Sequence, residues 1–272
     1  MKIRFWGVRG SIAVSGEPFL RTGGNTPCVE LTCEGHRLVL DGGTGMRALG
    51  QALGGQPLSA TVLFTHVHWD HIQGVPFFGP AYHPGSQITF GGVRRASGDI
   101  RDALARQMKP PAFPVTLDQF GAQLDFLDLE EPQPVDIGPF RVSWCDLEHP
   151  DGVVAYRITA GGRTVVFATD VEHGETIDER LVRLSEGADL LVHDAQYTRG
   201  EYEGRVGISR RGWGHSTWCD AVTVASRAGV QSLALYHHDP TRSDVEVEAI
   251  ETLARARFEG AFAARETEAF AV

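Results

Sequence analysis

At 272 residues and 42% hydrophobic, the chain is long enough for one sizeable core and ordinary in composition for a globular protein. It has no apolar stretch of eighteen residues, which argues against a membrane span. Its formal net charge is −10, with adjacent basic pairs only at Arg94-Arg95 and Arg210-Arg211, which argues against gripping long nucleic acid and favours a small anionic substrate.

The start, Met1-Lys2-Ile3-Arg4-Phe5-Trp6, enters a strand-like run with no signal-peptide apolar region, so a cytoplasmic location is expected. Apolar and β-branched content with flanking Gly or Pro predicts strands over 2–6, 28–33 and 36–40, then a helix over 43–53. A strand at 61–65 leads into a helix at 70–78. A strand at 87–90 and a helix at 98–107 follow. Strands at 140–145, 153–159 and 164–169 precede a helix at 177–185. A strand at 188–193, a helix at 217–228, a strand at 232–236 and a helix at 243–257 complete the chain. Ser216-Thr217 is a helix entry and Ala228-Gly229 an exit, and Ser243 to Glu246 has capping-box spacing. Strands in runs with helices interspersed give an α+β domain of packed sheets with helices outside. The Pro- and Gly-rich stretch 80–134 is read as an insertion near the mouth of the site. Cys28, Cys33, Cys145 and Cys219 form no Cys-x-x-Cys pair and are read as scattered reduced thiols.

The densest chemistry lies at His66-Val67-His68-Trp69-Asp70-His71, directly after the apolar run 61–65. Three imidazoles and a carboxylate in six residues repel and desolvate one another unless they surround cations. Imidazole and carboxylate suit zinc first, with manganese or iron also accepted. Further candidates stand at predicted strand ends: His149, Asp170 and His237, with His238 as an alternative to His237. A rigid scaffold at strand ends is what such a site requires. His66, His68 and His149 would serve one divalent ion and Asp70, His71 and His237 a second, with Asp170 bridging. Two such ions activate a shared water and clamp a phosphoryl oxygen. His36, His83, His173 and His193 have no comparable context. Trp69 stacks on a base or packs, and packing is the commoner outcome. Arg9, Arg94 and Arg95 are candidates for phosphate contact.

These motifs resemble the metallo-β-lactamase superfamily, whose fold is a four-layer αβ/βα sandwich with a two-metal site at one edge. Leu40-Asp41-Gly42-Gly43-Thr44-Gly45 is similar to its early Asp-Gly loop, which implies that Asp41 supports ligands rather than being one. Thr65 to Pro76 is similar to the branch of the transfer-RNA 3′-processing endonuclease, tRNase Z. His193-Asp194-Ala195-Gln196 and Gly214-His215-Ser216-Thr217 resemble two further motifs of that branch, with Asp and Gln where it has Glu and Thr. The resemblance implies a catalytic set of Asp70, Asp194 and His215, with Asp194 orienting His215 as the general acid. tRNase Z enzymes carry a transfer-RNA-gripping arm, generally between the third metal His and the bridging Asp. Here 21 positions separate His149 from Asp170, and predicted strands fill them. The expected function is a dinuclear metal-dependent phosphodiesterase acting through a metal-activated hydroxide on small nucleotides, cyclic ones included. The alternative is a tRNase Z-like endoribonuclease. By analogy the expected assembly is a homodimer.

Overall fold

The computed structural model describes residues 1–95, 98–129 and 133–272. The first half forms β1 (Lys2–Gly7), β2 (Cys28–Cys33), β3 (His36–Leu40), β4 (Ser59–Phe64), β5 (Gln87–Val93) and β6 (Gln123–Leu129). The second half forms β7 (Val135–Ile137), β8 (Phe140–Leu147), β9 (Val153–Ala160), β10 (Arg163–Ala168), β11 (Leu190–Asp194), β12 (Ser232–Tyr236), β13 (Ala261–Ala263) and β14 (Ala269–Ala271). Two seven-stranded sheets result, ordered β14-β1-β2-β3-β4-β5-β6 and β13-β12-β11-β10-β9-β8-β7. Both are mixed: β3 to β6 pair in parallel, as do β10 to β13, and the remaining neighbours are antiparallel. The helices are α1 (Gly45–Ala52), α2 (Trp69–Ile72), α3 (Ile100–Gln107), α4 (Glu179–Ser185), α5 (Arg199–Tyr202), α6 (Trp218–Ala228) and α7 (Asp244–Arg255).

Strand alternation explains the layering, because each strand presents successive side chains to opposite faces. Ile3, Phe5, Leu31, Leu40, Tyr156, Phe167 and Tyr236 meet between the sheets in one core. The opposite face of the first sheet buries Val39, Val62 and Phe90 against Met46, Leu49 and Leu104 of α1 and α3. The opposite face of the second buries Val166, Leu191 and Leu235 against Leu181, Ala221 and Ile250 of α4, α6 and α7. The order of layers is therefore helix, sheet, sheet, helix, as the sequence led us to expect.

Two expectations need correction in detail. The predicted helix 70–78 is one turn, α2, followed by a 3-10 turn at Val75–Phe77. Pro76 cannot donate to a continuing helix. A Cβ on Gly74 would also sit 1.8 Å from the Gly43 carbonyl oxygen, so the backbone passes too close for a regular side-chain-bearing turn. The stretch 80–134 does more than cap a site: it supplies β5, α3 and β6, three elements of the first sheet and its helical layer. Its residues 96–97 and 130–132 lie outside the described residues.

Two buried phenols tie the sheets together. Tyr156 donates to the Phe64 carbonyl at 2.7 Å, and Tyr236 donates to the Gly7 carbonyl at 2.7 Å. Both rings are fully buried. Tyr156→Phe or Tyr236→Phe strands a buried carbonyl, so each is expected to lower unfolding free energy by about 1–3 kcal/mol in urea denaturation. A change within error for both would show that the bonds contribute nothing net.

Candidate metal centre and proton-donor dyad

Six segments bring side chains to one end of the paired sheets, each just past or at the end of a strand. Asp41 follows β3, Thr65 and His66 follow β4, and His149 follows β8. Asp170 follows β10, Asp194 ends β11 and His237 follows β12. Asp41, Asp170 and His237 adopt left-handed backbone, with φ of 60°, 54° and 58°. Non-glycine residues rarely take this conformation, and surrounding structure must hold them there.

Two ligand-type groups form. His66, His68 and His149 bring one ring nitrogen each within 4.8 Å of the others, and Asp70, His71, Asp170 and His237 bring a carboxylate oxygen or ring nitrogen each within the same distance of one another. Asp170 touches both. Its Oδ1 lies 3.2 Å from His71 Nε2 and 3.2 Å from His237 Nε2. Its Oδ2 lies 3.7 Å from His66 Nε2 and 3.8 Å from His149 Nε2. His238, which follows on the alternate side, belongs to neither group. Its Nε2 donates to the Ala264 carbonyl at 3.0 Å. Burial, with Arg9 and Arg242 nearby, lowers its pKa to about 3 and keeps the ring neutral.

The hydrogen bonds behind the rings set which nitrogen faces inward. A carbonyl or carboxylate oxygen only accepts, so each imidazole nitrogen bonded to one carries the proton. His71 Nδ1 donates to Asp41 Oδ2 at 2.8 Å, His149 Nδ1 to the Gly214 carbonyl at 2.8 Å, and His237 Nδ1 to Gln196 Oε1 at 2.9 Å. Thr65 Oγ1 donates to Asp41 and accepts from His66 Nδ1 at 3.1 Å. Each of these four rings therefore turns its Nε2 toward the centre. His66 Nε2 and His71 Nε2 are buried without any hydrogen-bond partner. Imidazole Nε2 atoms converging on one another and on carboxylates are the donor set of a cation site, with outer hydrogen bonds of the kind that hold metal-bound imidazoles. The residues present thus fit two divalent ions.

Burial would lower the pKa of His71, but Asp170, Asp70 and Asp41 raise it well above the usual imidazole range. Burial alone would push both inner carboxyls up, yet His71 and His237 hold Asp70 and Asp170 well below the usual carboxylate range. His66 is pushed down, by burial first and then by its imidazole neighbours. Asp70 also accepts from the Ser11 amide at 2.7 Å.

Beside the two groups stands a third arrangement. His215 Nδ1 bonds Asp194 Oδ2 at 2.8 Å, while Asp194 Oδ1 accepts from the amides of Gln196 at 3.0 Å and Ser216 at 3.2 Å. Burial opposes the charged form of His215, but Asp194 outweighs it and raises the pKa to about 9. The His215 ring stacks on His237 with centroids 5.0 Å apart, which sets the dyad against the inner cluster.

Glycines make the crowding feasible. A Cβ on Gly214, whose φ is +86°, would lie 2.1 Å from His149 Nδ1, and one on Gly10 would lie 2.5 Å from His237 Nδ1. Gln196, Thr65 and Gly214 were not singled out by spacing, because each acts on an imidazole through a contact that tertiary folding creates or completes. Arg9, a sequence candidate for phosphate contact, is fully buried and donates to the carbonyls of Gly23 at 2.8 Å and Arg242 at 2.7 Å, so it braces the loops instead. Arg94 pairs with Asp99 at 2.8 Å and Arg95 with Asp146 at 2.6 Å. Trp69 does not pack into the core: it is 63% exposed.

Comparison with known proteins places this geometry. The family described as "Beta-lactamase superfamily domain" matches residues 36–238. The chain belongs to the metallo-β-lactamase superfamily. Ribonuclease Z of Haloarcula marismortui is 24% identical over 96% of this chain and 93% of its own length. Ribonuclease Z of Brevibacillus brevis is 40% identical over a shorter match, 30% of this chain and 23% of its own. The crystal structure of the metallo-β-lactamase fold protein YhfI from Bacillus subtilis superposes with a TM-score of 0.75 at 19% identity, covering 99% of each chain. Family membership makes the chain a metal-dependent hydrolase.

Asp41 serves two imidazoles at once, His71 directly and His66 through Thr65. Asp41→Asn is expected to lower zinc affinity about ten- to a hundredfold, measured by chelator competition, with all seven candidate ligands intact. Unchanged affinity would remove Asp41 from the orienting shell.

Proposed function

We propose that this hydrolase is a phosphodiesterase for small nucleotides, cyclic ones included, with zinc as the ion in both positions. One observation carries the reading: two imidazole–carboxylate groups sharing Asp170, with an Asp194–His215 dyad stacked against them. The first group would hold one ion through His66, His68 and His149, and the second would hold another through Asp70, His71 and His237. When bound, such ions polarise a phosphoryl oxygen and bring the pKa of a water toward neutrality.

The chain's own residues supply the rest. His215 is protonated near neutral pH, and its Nδ1 is committed to Asp194, so the proton it can give sits on Nε2. A departing alkoxide needs that proton, which makes His215 the general acid and Asp194 its positioning partner. Asp70 acts through the ion it helps to hold, and the Ser11 amide keeps that carboxylate in place.

Small substrates are favoured over RNA by charge and by topology. The net charge is −10, and the segment between His149 and Asp170 is taken up by β9 and β10, where the resemblance to tRNase Z leads one to look for a gripping arm. The ribonuclease Z relatives favour the second reading, an RNA-processing nuclease. It requires cleavage of precursor transfer RNA with strongly salt-dependent affinity. Among the described residues no helix is long and apolar enough to cross a membrane.

A turnover panel of cyclic purine and pyrimidine nucleotides, an aryl phosphodiester and precursor transfer RNA, run on zinc-loaded protein, separates the two. His68→Ala and Asp170→Ala are expected to abolish turnover and reduce bound metal by elemental analysis. His215→Ala is expected to keep its metal while turnover falls about 10²- to 10⁴-fold. Full activity in Asp170→Ala would sink the shared-carboxylate reading, and metal loss as the main effect of His215→Ala would sink the proton-donor assignment.

A further inference from the structure

The face of β5 that packs on α3 reads Ile88, Phe90, Gly92 at the two-residue strand period. Ile88 and Phe90 join Ile100 and Leu104 of α3 in one apolar core. At Gly92 the series loses its side chain. Gly91 and Gly92 differ in what requires them. A Cβ on Gly91 would sit 2.9 Å from Leu63 Cδ2 and 3.3 Å from Leu127 Cβ, so close packing demands that glycine. A Cβ on Gly92 would meet nothing nearer than the Phe64 carbonyl oxygen at 3.4 Å, and its φ lies outside the left-handed region. Neither packing nor backbone conformation asks for glycine at 92. A glycine inside a strand with no such demand marks close approach of something else.

What the missing side chain leaves open is a cavity of about 260 Å³. Phe64, Val67, Val93, Ile100 and Ala103 give it apolar walls, and His66 and His68 of the first ligand group line it as well. Asp99 and Arg95 add a carboxylate and a guanidinium to the lining. Its size is just below the roughly 300–1,000 Å³ usual for small-ligand sites, which suits one ring system and excludes a base with a neighbouring nucleotide.

We propose that this cavity receives the nucleobase of the substrate while its phosphate lies at the His66–His237 centre, and that Gly92 sets the size limit. The proposal rests on the phosphodiesterase reading above. It names Gly92 as a specificity-determining residue, acting by the volume it leaves free, and Ala103 as its counterpart on the helix wall.

The test is calorimetric titration of zinc-loaded protein with adenosine 5′-monophosphate and with ribose 5-phosphate, which lacks the base. Burial of the base is expected to make the nucleotide bind about tenfold or more tightly than the sugar phosphate. Gly92→Val fills the cavity from the strand and Ala103→Leu from the helix. Each is expected to collapse that ratio toward one with wild-type metal content and circular dichroism, and either variant suffices should the other fail to fold. Equal affinities in the wild-type protein, or an unchanged ratio in a folded variant, would overturn the proposal. Hydrolysis of bis(p-nitrophenyl) phosphate is followed in parallel. A protein that hydrolyses this ester without base discrimination overturns the cavity assignment and spares the reaction. One that discriminates without hydrolysing sustains the cavity and overturns the reaction.

Discussion

Asp170 carries more of this molecule's chemistry than any other side chain. It is buried at the end of β10 with φ at 54°, and each of its oxygens faces a different set of imidazoles. A carboxylate desolvated in this way is costly unless positive charge surrounds it. Two cations between its oxygens and the rings would satisfy that demand. The left-handed backbone is part of the same arrangement, because it places the carboxylate across the seam between the two ligand groups. Strain of this kind is sustained only by a stiff frame, and the flanking β10 and β11 provide it as buried parallel neighbours.

Around this centre, orientation is delegated outward. Asp41, Gln196 and the Gly214 carbonyl each fix the protonated nitrogen of an imidazole, so that the other nitrogen must face inward. The Asp194–His215 dyad applies the same device to a different end. There His215 Nδ1 is bonded to Asp194, and Nε2 is left uncommitted to that carboxylate. One hydrogen-bonding rule thereby fixes the inward nitrogen in both arrangements.

Access is uneven. The second group is buried throughout, whereas the His68 ring of the first is partly exposed while the rings of His66 and His149 are buried. The apolar cavity between β5 and α3 opens on that more accessible side. The exposed Trp69 lies between His68 and Asp70 in the chain and, with Phe77 and Phe113, lines a separate groove.

Much of this was legible in the sequence, for local reasons. Apolar and β-branched content with flanking Gly or Pro marked β2, β3 and β12 to the residue, and three imidazoles with a carboxylate in six positions announced unusual chemistry. Short β13 and β14, and β6 with its interspersed acidic residues, carried too weak a pattern and exist because a neighbouring strand pairs with them. Pro76 and the close passage of Gly74 cut the predicted 70–78 helix to one turn. Neither spacing nor composition distinguished His237 from His238, since adjacent residues on a strand end differ only in direction. The chain's own order of residues determined which chemical groups are available and which elements they terminate. Tertiary packing alone decided which nitrogen each imidazole presents, that Arg9 is a brace rather than a substrate contact, and that Gly92 borders a cavity. Those outcomes depend on partners tens to hundreds of residues away, whose proximity exists only once the two sheets have closed on each other.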